Sequence, residues 1–470
     1  MATVRVFNHH VHTTFTWLAL ADVVLFTVSF FAGSYLFATL HIGPDSFSAY
    51  LGQTPMRAIV FALVVLASLS AMGLYEPRMR EGLNGVLIRT TGGFIAATAV
   101  LGLAFYLLPE FQRWGGALLY AAPIAFTVNL ITRTAFINLT DLDQFKHRVL
   151  VYGSGFTAST ITSSMRRKTD RQGFVIVGFV RVDDEDPRIT GERVINLRQP
   201  LSEYARQAEI DQIVVALDKK RSQTPSDELF KCRLQGVKVL NIVNFFEREA
   251  GKILVDFASP GWMTLTEDMR SGSAKSLSKR AFDIGASFIL LMGTWPIMLL
   301  TALAIWLEDG FKAPIFFSQE RVGLNGKAFR VMKFRSMGVD AEGDGKARWA
   351  TENDSRITRV GSFIRRTRID ELPQIFNVMV GDMAFIGPRP ERPEFVKQLA
   401  EKIPFYNSRH CVKPGITGWA QLCYPYGASE EDARQKLQFD LYYVKNHSLF
   451  LDFMITLSTV EVVLFGKGAR

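Results

Sequence analysis

Cysteine is scarce in this chain, with three among 470 residues: Cys232, Cys411 and Cys423. None stands in a Cys-x-x-Cys pair, so neither a disulfide framework nor a thiolate zinc site is implied. The three read as reduced thiols in a cytoplasmic setting. Histidine is also sparse, at seven residues. His9, His10 and His12 fall in an N-terminal stretch expected to be a mobile, solvated tail. His410 and His447 receive no role, because histidines satisfied inside a fold outnumber catalytic ones. What the chain has instead is apolar sequence and positive charge. Hydrophobic residues make up 48% and the formal net charge is +9. The first is high for a purely soluble protein; the second suits contact with phosphates or with an anionic membrane surface.

Four apolar stretches fill the first third, approximately Phe15–Leu40, Met56–Leu74, Thr91–Leu108 and Gly115–Ile137. Each is near the ~20 residues that cross a bilayer. The first lacks a signal-peptide cleavage site and is followed by further spans, so it is expected to be retained. Arg78, Arg80 and Arg89 lie around the loop between spans two and three, and Lys146 and Arg148 follow span four. The other two loops carry little positive charge. Both ends of this four-helix unit are therefore expected on the cytoplasmic side. Asp22 lies inside the first span, where an acid is either functional or bonded to a neighbouring helix.

After Lys146 the pattern changes. "HRVLVYGSGFTASTI" reads as strand, turn and helix, and Gly153, Gly155 and Ala158 match the dinucleotide fingerprint G-x-G-x-x-A. Strands follow in "GFVIVGFV", "DQIVVAL" and "VKVLNI". "SDELFKCRLQG" reads as a helix opened by a Ser/Asp cap and stopped at Gly236. The alternation predicts a parallel, Rossmann-like α/β domain over 146–250. A cofactor there is only weakly indicated: the domain is short, and the ribose-binding acid would have to be Asp183 or Asp184 in what looks like a solvated turn.

Residues 281–307 form a fifth apolar segment of 27 residues, with Trp295-Pro296 in its middle. Proline removes a backbone donor, so a break is expected there. The flanking charges do not decide between a full crossing and a helix that dips in and returns. Beyond it the chain is dense in polar motifs. "KFRSM" places Lys333 and Arg335 at period two. "FIRRTRIDELP" brings Arg365, Arg366 and Arg368 to an acidic pair, Asp370 and Glu371. Arg389 and Arg392 sit in a loop stiffened by Pro388, Pro390 and Pro393. Arginines on pre-set loops suit phosphate recognition. The acidic pair reads equally well as a helix cap, with Pro373 in the first turn, or as chemistry at a helix N-terminus that attracts phosphate. On a helix the two carboxylates diverge by about 100°, so they cannot share one task.

The block from Lys279 onward resembles the bacterial sugar transferase family of monotopic polyprenyl-phosphate phosphoglycosyl transferases. The stretches that carry this are "KRAFDI", the interrupted apolar segment, "QERVGLNGKAFRVMKFRSM", "RIDELPQIFNVMVGDMAFIGPRPE", "KPGITGWAQ" and "FDLYYVKNHSL". Four preceding spans and a Rossmann-like domain resemble the large members, and "ERPEFVKQLAEKIPFYNSRHCVKPGITGWAQLCYPYGAS" resembles the exopolysaccharide subgroup linked to exosortase (PEP-CTERM) loci.

The resemblance implies transfer of a sugar-1-phosphate from a UDP-sugar to undecaprenyl phosphate. Asp370 would be the nucleophile and Glu371, with Asp370, would hold Mg²⁺. Lys333, Arg365 and Arg389 would bind phosphate oxygens, with Arg335, Arg368, Arg392 and Asp440 as further ligands. UDP-sugars are cytoplasmic, so the fifth segment is expected to be re-entrant, breaking at Trp295-Pro296. The C-terminal "LFLDFMITLSTVEVVLFGKGAR" would lie in the bilayer interface. The expected protein is thus an inner-membrane α/β protein whose catalytic domain faces the cytoplasm. Its parts are a four-helix transmembrane bundle (1–145), a Rossmann-like, CoA-binding-like domain (146–250), a linker (251–275), a re-entrant helix (276–311) and a mixed α/β catalytic domain (312–470). A homodimer is expected as the commonest closed symmetry, and nucleic acid is not an expected partner. Two other classes stay open: a membrane-anchored NAD-dependent nucleotide-sugar dehydratase or epimerase, and a non-catalytic polysaccharide-assembly scaffold. Against the first, no tyrosine is followed four residues later by lysine.

Overall fold

Long apolar sequence in a bilayer satisfies its backbone only as helix or closed barrel, and helix is what the first third forms. In the computed structural model the described residues are 3–6, 9–41, 54–72, 74–75, 83–107, 115–140, 146–165, 171, 173–182, 186, 188–189, 193–218, 225–258, 273–308, 310, 313–339, 341, 356–425, 427 and 429–465. Arg78, Arg80, Asp183, Asp184 and the loops between the first three spans lie outside them. The short strands β1 (Thr3–Val6) and β2 (His9–His12) open the chain, so the histidine-bearing stretch is a strand and not the expected tail. Two compact units follow, dominated by residues 10–250 and 251–470.

In the first unit, α1 (Thr13–His41), α2 (Thr54–Ala71), α3 (Leu83–Leu107) and α4 (Gly115–Thr140) pack on one another. Phe26, Phe30, Phe61, Val65, Leu69, Ala97 and Ala121 are buried between them, while Trp17, Val28, Leu63, Ile95 and Leu119 point outward. Gly33 lets α1 and α4 touch: a Cβ there would lie 2.5 Å from the Ala121 nitrogen. Small residues permit such approach in membranes, where no hydrophobic effect drives helices together. Asp22 is fully buried and structural in its contacts. It pairs with Arg133 of α4 at 2.7 Å and accepts from Tyr75 at 2.7 Å and Asn129 at 3.3 Å.

The α/β part of this unit is a parallel sheet of β3 (His147–Tyr152), β4 (Phe174–Val180), β5 (Val194–Ile195), β6 (Gln212–Val215) and β7 (Lys238–Asn241), in the order β5-β4-β3-β6-β7. Counted from its first strand this is 3-2-1-4-5, the classic Rossmann order without its sixth strand. Helices α5 (Phe156–Ser164), α6 (Leu201–Gln207), α7 (Ser226–Leu234) and α8 (Ile242–Ala250) accompany it. The cap of α7 is Pro225 and not the Ser/Asp pair, which lies inside the first turn. Among the features not foreseen, β5 is only two residues long, too short for a period-two signal.

The second unit begins with α9 (Ser273–Glu308), a single helix with Pro296 inside it. The expected break into two helices is therefore absent from its secondary structure. The missing proline N–H removes one hydrogen bond from the ladder, and the rest of the helix carries on through it. Thr294 and Thr301 hydroxyls donate to the carbonyls of Leu290 and Ile297, bonds that bend helices without ending them. Among the described residues, α1 to α4 and α9 are long and apolar enough to cross a membrane. The antiparallel hairpin β8 (Phe316–Val322) and β9 (Ala328–Phe334) follows, then α10 (Arg359–Arg366) and α11 (Gln374–Val380). Strands β10 (Ala384–Ile386) and β11 (Gly415–Thr417) pair in parallel. Helices α12 (Pro393–Lys402), α13 (Glu430–Asn446) and α14 (Leu449–Phe465), with a short helical turn at Trp419–Cys423, complete the unit.

Candidate active site

Three pieces of backbone bring the site together. The first is the turn between α10 and α11. Arg368 takes a left-handed conformation, φ 61°, which is uncommon for a residue with a Cβ and costs about 1 kcal/mol or more. It redirects the chain into a single 3₁₀ turn, Ile369–Glu371, closed by the Glu371 and Leu372 N–H groups. Pro373, not Asp370, caps α11, so the helix-cap reading of the acidic pair does not hold. Both carboxylates are about nine-tenths buried.

The second piece is β9, which carries Lys333. Asn377 of α11 fixes this strand, accepting from the Met332 N–H at 2.9 Å and donating to the Arg330 carbonyl at 2.8 Å. The third is the loop after β10 that carries Arg389. It lies against β11 with no room for side chains. A Cβ on Gly387 would sit 2.3 Å from the Lys413 carbonyl oxygen, and one on Gly418 2.2 Å from the Gly387 carbonyl oxygen.

These pieces meet at Glu371. Its Oε1 accepts from Lys333 Nζ at 3.0 Å and from Arg389 Nη2 at 2.8 Å. Burial alone would raise its pKa, but the Arg389 and Lys333 charges override that and hold the carboxyl well below the usual range. Asp370 is set differently. Its Oδ1 is buried with no partner among the described residues. Burial, reinforced by the Glu371 charge, raises its pKa, while Lys333, Arg389 and Arg368 pull the other way. Adjacent carboxylates thus occupy distinct electrostatic states: one clamped between cations, the other with a buried oxygen that makes no hydrogen bond to a described residue. No cluster of three or more metal-ligating side chains occurs among the described residues. The pair nonetheless fits Mg²⁺, which is held by one or two carboxylates plus substrate phosphates, and Asp370 Oδ1 is an oxygen available to such an ion.

The other expected ligands are placed elsewhere. Arg335 donates to the Pro314 carbonyl at 2.7 Å, bracing the entry to β8. Arg392 turns toward Glu394, at 3.7 Å, and the Phe395 ring. Arg365 is half-buried on α10 with no ion pair to a described residue. Asp440 is buried against Arg409 at 2.6 Å, and Arg409 in turn donates to the Arg389 carbonyl at 3.0 Å. The acid therefore steadies the loop behind Arg389 and does not line the cleft. His410 is buried and neutral, its pKa lowered to about 4 by burial and by Arg409. His447 meets the Val444 carbonyl. The cleft itself is lined by Arg321, Val331, Lys333, Gln374, Arg389, Pro390 and Gly415. Of the polar side chains among these, Arg321 and Gln374 are not singled out by the sequence; the period-two spacing of Gln319 and Arg321 is the available signal for the first.

The glycine fingerprint of the Rossmann-like sheet is a second candidate site, and it is filled from within. Gly153, at φ 127°, makes the tight turn, and Ala158 is buried on α5. The Phe156 and Thr157 N–H groups at the start of α5 both donate to Asp218, at 2.8 and 2.6 Å. A Cβ on Gly155 would lie 2.1 Å from that carboxylate. Burial would raise the Asp218 pKa, but these two N–H bonds and the Arg188 charge lower it. A carboxylate of the chain thus stands where the fingerprint would seat a phosphate. Asp218→Ala is expected to remove a cap worth about 1 kcal/mol, seen as roughly fivefold faster hydrogen exchange at Phe156 and Thr157. Unchanged exchange at both would refute the capping role.

Taken together, the second unit is an α/β domain on a long apolar helix, with buried carboxylates and converging cations suited to anionic groups. Residues 274–466 match the family model described as bacterial sugar transferase. The chain belongs to that family. It is 43% identical over 242 residues to the UDP-N-acetylgalactosamine-undecaprenyl-phosphate N-acetylgalactosaminephosphotransferase of Aeromonas hydrophila, covering 52% of this chain and 56% of that one. It is 33% identical over 332 residues to the undecaprenyl-phosphate glucose phosphotransferase of Komagataeibacter xylinus, covering 69% and 60%. With the exopolysaccharide production protein PSS of Rhizobium leguminosarum it shares 41% identity over 196 residues, covering 40% of this chain and 97% of that one. The chain thus spans somewhat over half the length of the first two.

Proposed function

We propose that this protein transfers a sugar-1-phosphate from a UDP-sugar to undecaprenyl phosphate, as the names of its relatives say of them, and so begins exopolysaccharide assembly. The observation that carries this is the Asp370 oxygen, buried and without a hydrogen-bond partner among the described residues, beside a glutamate that grips Lys333 and Arg389. An Asp370 oxygen attacks the β-phosphorus. The bond to the bridging oxygen breaks, and UMP leaves with the electron pair. An oxygen of undecaprenyl phosphate then attacks the same phosphorus, releases the Asp370 carboxylate and forms undecaprenyl-diphosphate sugar. Two displacements through one nucleophile let both substrates use one pocket. Lys333 and Arg389 position and neutralise phosphate oxygens, and Glu371 keeps the two cations fixed. Mg²⁺ bound to substrate oxygens, Asp370 and Glu371 would supply further charge neutralisation. The alternatives draw no support, since neither a nucleotide-sugar dehydratase or epimerase nor a scaffold calls for this carboxylate and cation set. The deciding experiment is a UMP-release screen across UDP-sugars with and without undecaprenyl phosphate. No release with any of them would defeat the reading.

On the same reading we infer that the second unit lies on the cytoplasmic face of the inner membrane, where UDP-sugars are found, with α9 re-entrant. Both ends of α9 are bound to one α/β domain, which supports this. Near its start, Arg280 donates to the Val378 and Met379 carbonyls and Asp283 accepts from the Phe385 N–H. Near its end, Ile305 packs with Phe334 and Ile364, and Glu308 accepts from the Val360 N–H. A straight helix would hold Arg280 and Glu308 about 42 Å apart, more than the ~30 Å of hydrocarbon between opposite sides. Helix α14 completes the contact with the bilayer interface. Its Asp452 is turned inward onto Lys279 at 3.0 Å and Tyr443 at 2.7 Å, while Phe453 is exposed. The first unit supplies self-association, and a two-fold homodimer is expected. Mass measurement in lipid nanodiscs at micromolar protein should give twice the chain mass; monomer alone would count against it.

A further inference from the structure

Glu371 engages two of the three cations that line the cleft, and the third is Arg321. In the β8–β9 register, Arg321 pairs with Phe329 and Phe317 with Lys333. Cross-strand partners and residues two apart share a face, so Arg321 and Lys333 stand on the same side of the hairpin, with Val331 between their cross-strand positions. Arg389 enters the cleft from the loop after β10. The Arg321 guanidinium is held still from behind. Its Nη2 donates to Gln319 Oε1 at 2.7 Å and its Nη1 to the Pro390 carbonyl at 3.3 Å, with Glu391 3.5 Å away. A guanidinium has five N–H donors, so these bonds leave several for the cleft that Arg321 lines. Its side chain is 17% exposed. Burial depresses its pKa; Glu391 opposes this, and the Arg389 and Arg392 charges add to it. Such crowding of cations is relieved by a polyanion. Gln374, at the first position of α11, contributes a neutral amide to the same wall.

We propose that Arg321 is a substrate-binding residue: with Lys333 and Arg389 it forms a three-cation seat for the donor diphosphate, and it takes the phosphate that departs with the nucleotide. This rests on the reading of the chain as a UDP-sugar transferase. Lys333 and Arg389 touch the glutamate next to Asp370, so they flank the phosphorus under attack. Arg321 makes no bond to either carboxylate of the pair, stands one step further off, and so meets the second phosphate. Gln374 lies beside the seat as a donor of hydrogen bonds that carry no charge.

Arg321→Gln and Arg321→Lys are compared with the parent in full-length protein in nanodiscs. The glutamine variant should raise the KM for UDP-sugar and the inhibition constant of UMP by about 10- to 100-fold, the lysine variant by less, and the KM for undecaprenyl phosphate by no more than about twofold. Equal losses toward both substrates, or unchanged UMP inhibition, would overturn the assignment. A measurement on the unmutated protein stands apart from folding and turnover. Arginine modification by phenylglyoxal, mapped by peptide, should be slowed at Arg321 by inorganic diphosphate, and absence of protection there overturns the seat. Protection of Arg321 in a protein that turns over no UDP-sugar would instead defeat the transferase reading and leave the seat standing.

Discussion

Asp370→Asn is expected to lower transfer by at least about 10⁴-fold, the scale on which loss of a nucleophile is felt. The substitution keeps the size of the side chain and replaces one carboxylate oxygen by an amide nitrogen, removing the charge and with it the nucleophile. It should also abolish exchange of labelled UMP into UDP-sugar, a reaction that needs the first displacement alone. Exchange at the parental rate in this variant would refute the covalent route. The parent carries a matching pH signature. Burial and the Glu371 charge raise the Asp370 pKa, and attack needs the ionised form. Activity should therefore fall as pH drops through that raised pKa, beginning above the pH at which an ordinary aspartate would protonate. Glu371, held well below its usual range, stays ionised throughout.

The second large effect is one of sidedness. In a background with Cys232, Cys411 and Cys423 replaced, Ser276→Cys and Ala313→Cys stand just inside the start and just past the end of α9. Both should be silent toward a membrane-impermeant thiol reagent in intact cells, and both should react after permeabilisation. The expected contrast is complete at each position, because a re-entrant helix leaves both flanks on one side. Labelling of Ala313→Cys from outside would make α9 a true span and would remove the active site from its cytoplasmic donor.

The parts legible in the sequence are those whose physics is local. Four apolar runs, an alternation of strands and helices, and the pairing of Asp370 and Glu371 amid arginines needed no tertiary information. Lys333 and Arg389 stood out because one lies in an alternating strand and the other in a proline-stiffened loop. What escaped notice depends on distant contacts. Asp218 lies 62 residues from the Phe156 N–H that it caps, so the fingerprint could not show that its anion seat was filled. Asp440 carried the right charge, but only the fold reveals that it faces Arg409. Arg321 acquires its meaning from the hairpin register. The tight packing of Gly387, Gly415 and Gly418 explains glycines that the sequence presents merely as loop punctuation. Pro296 was read as a helix stop because proline usually is one, yet the loss of a single hydrogen bond leaves α9 continuous.

The ion pair between Asp22 and Arg133 has a bearing on how the chain reaches its membrane form. The two residues are separated by 111 positions, so the first helix emerges from the ribosome long before its counter-charge is made. Alone in hydrocarbon, each group costs on the order of 2.5–3.5 kcal/mol; together they are neutral, and the Tyr75 and Asn129 bonds satisfy the acid further. Until the fourth helix arrives, the first carries its acid without the counter-charge. A chain truncated between them would carry an unpaired acid in its first helix, at that cost.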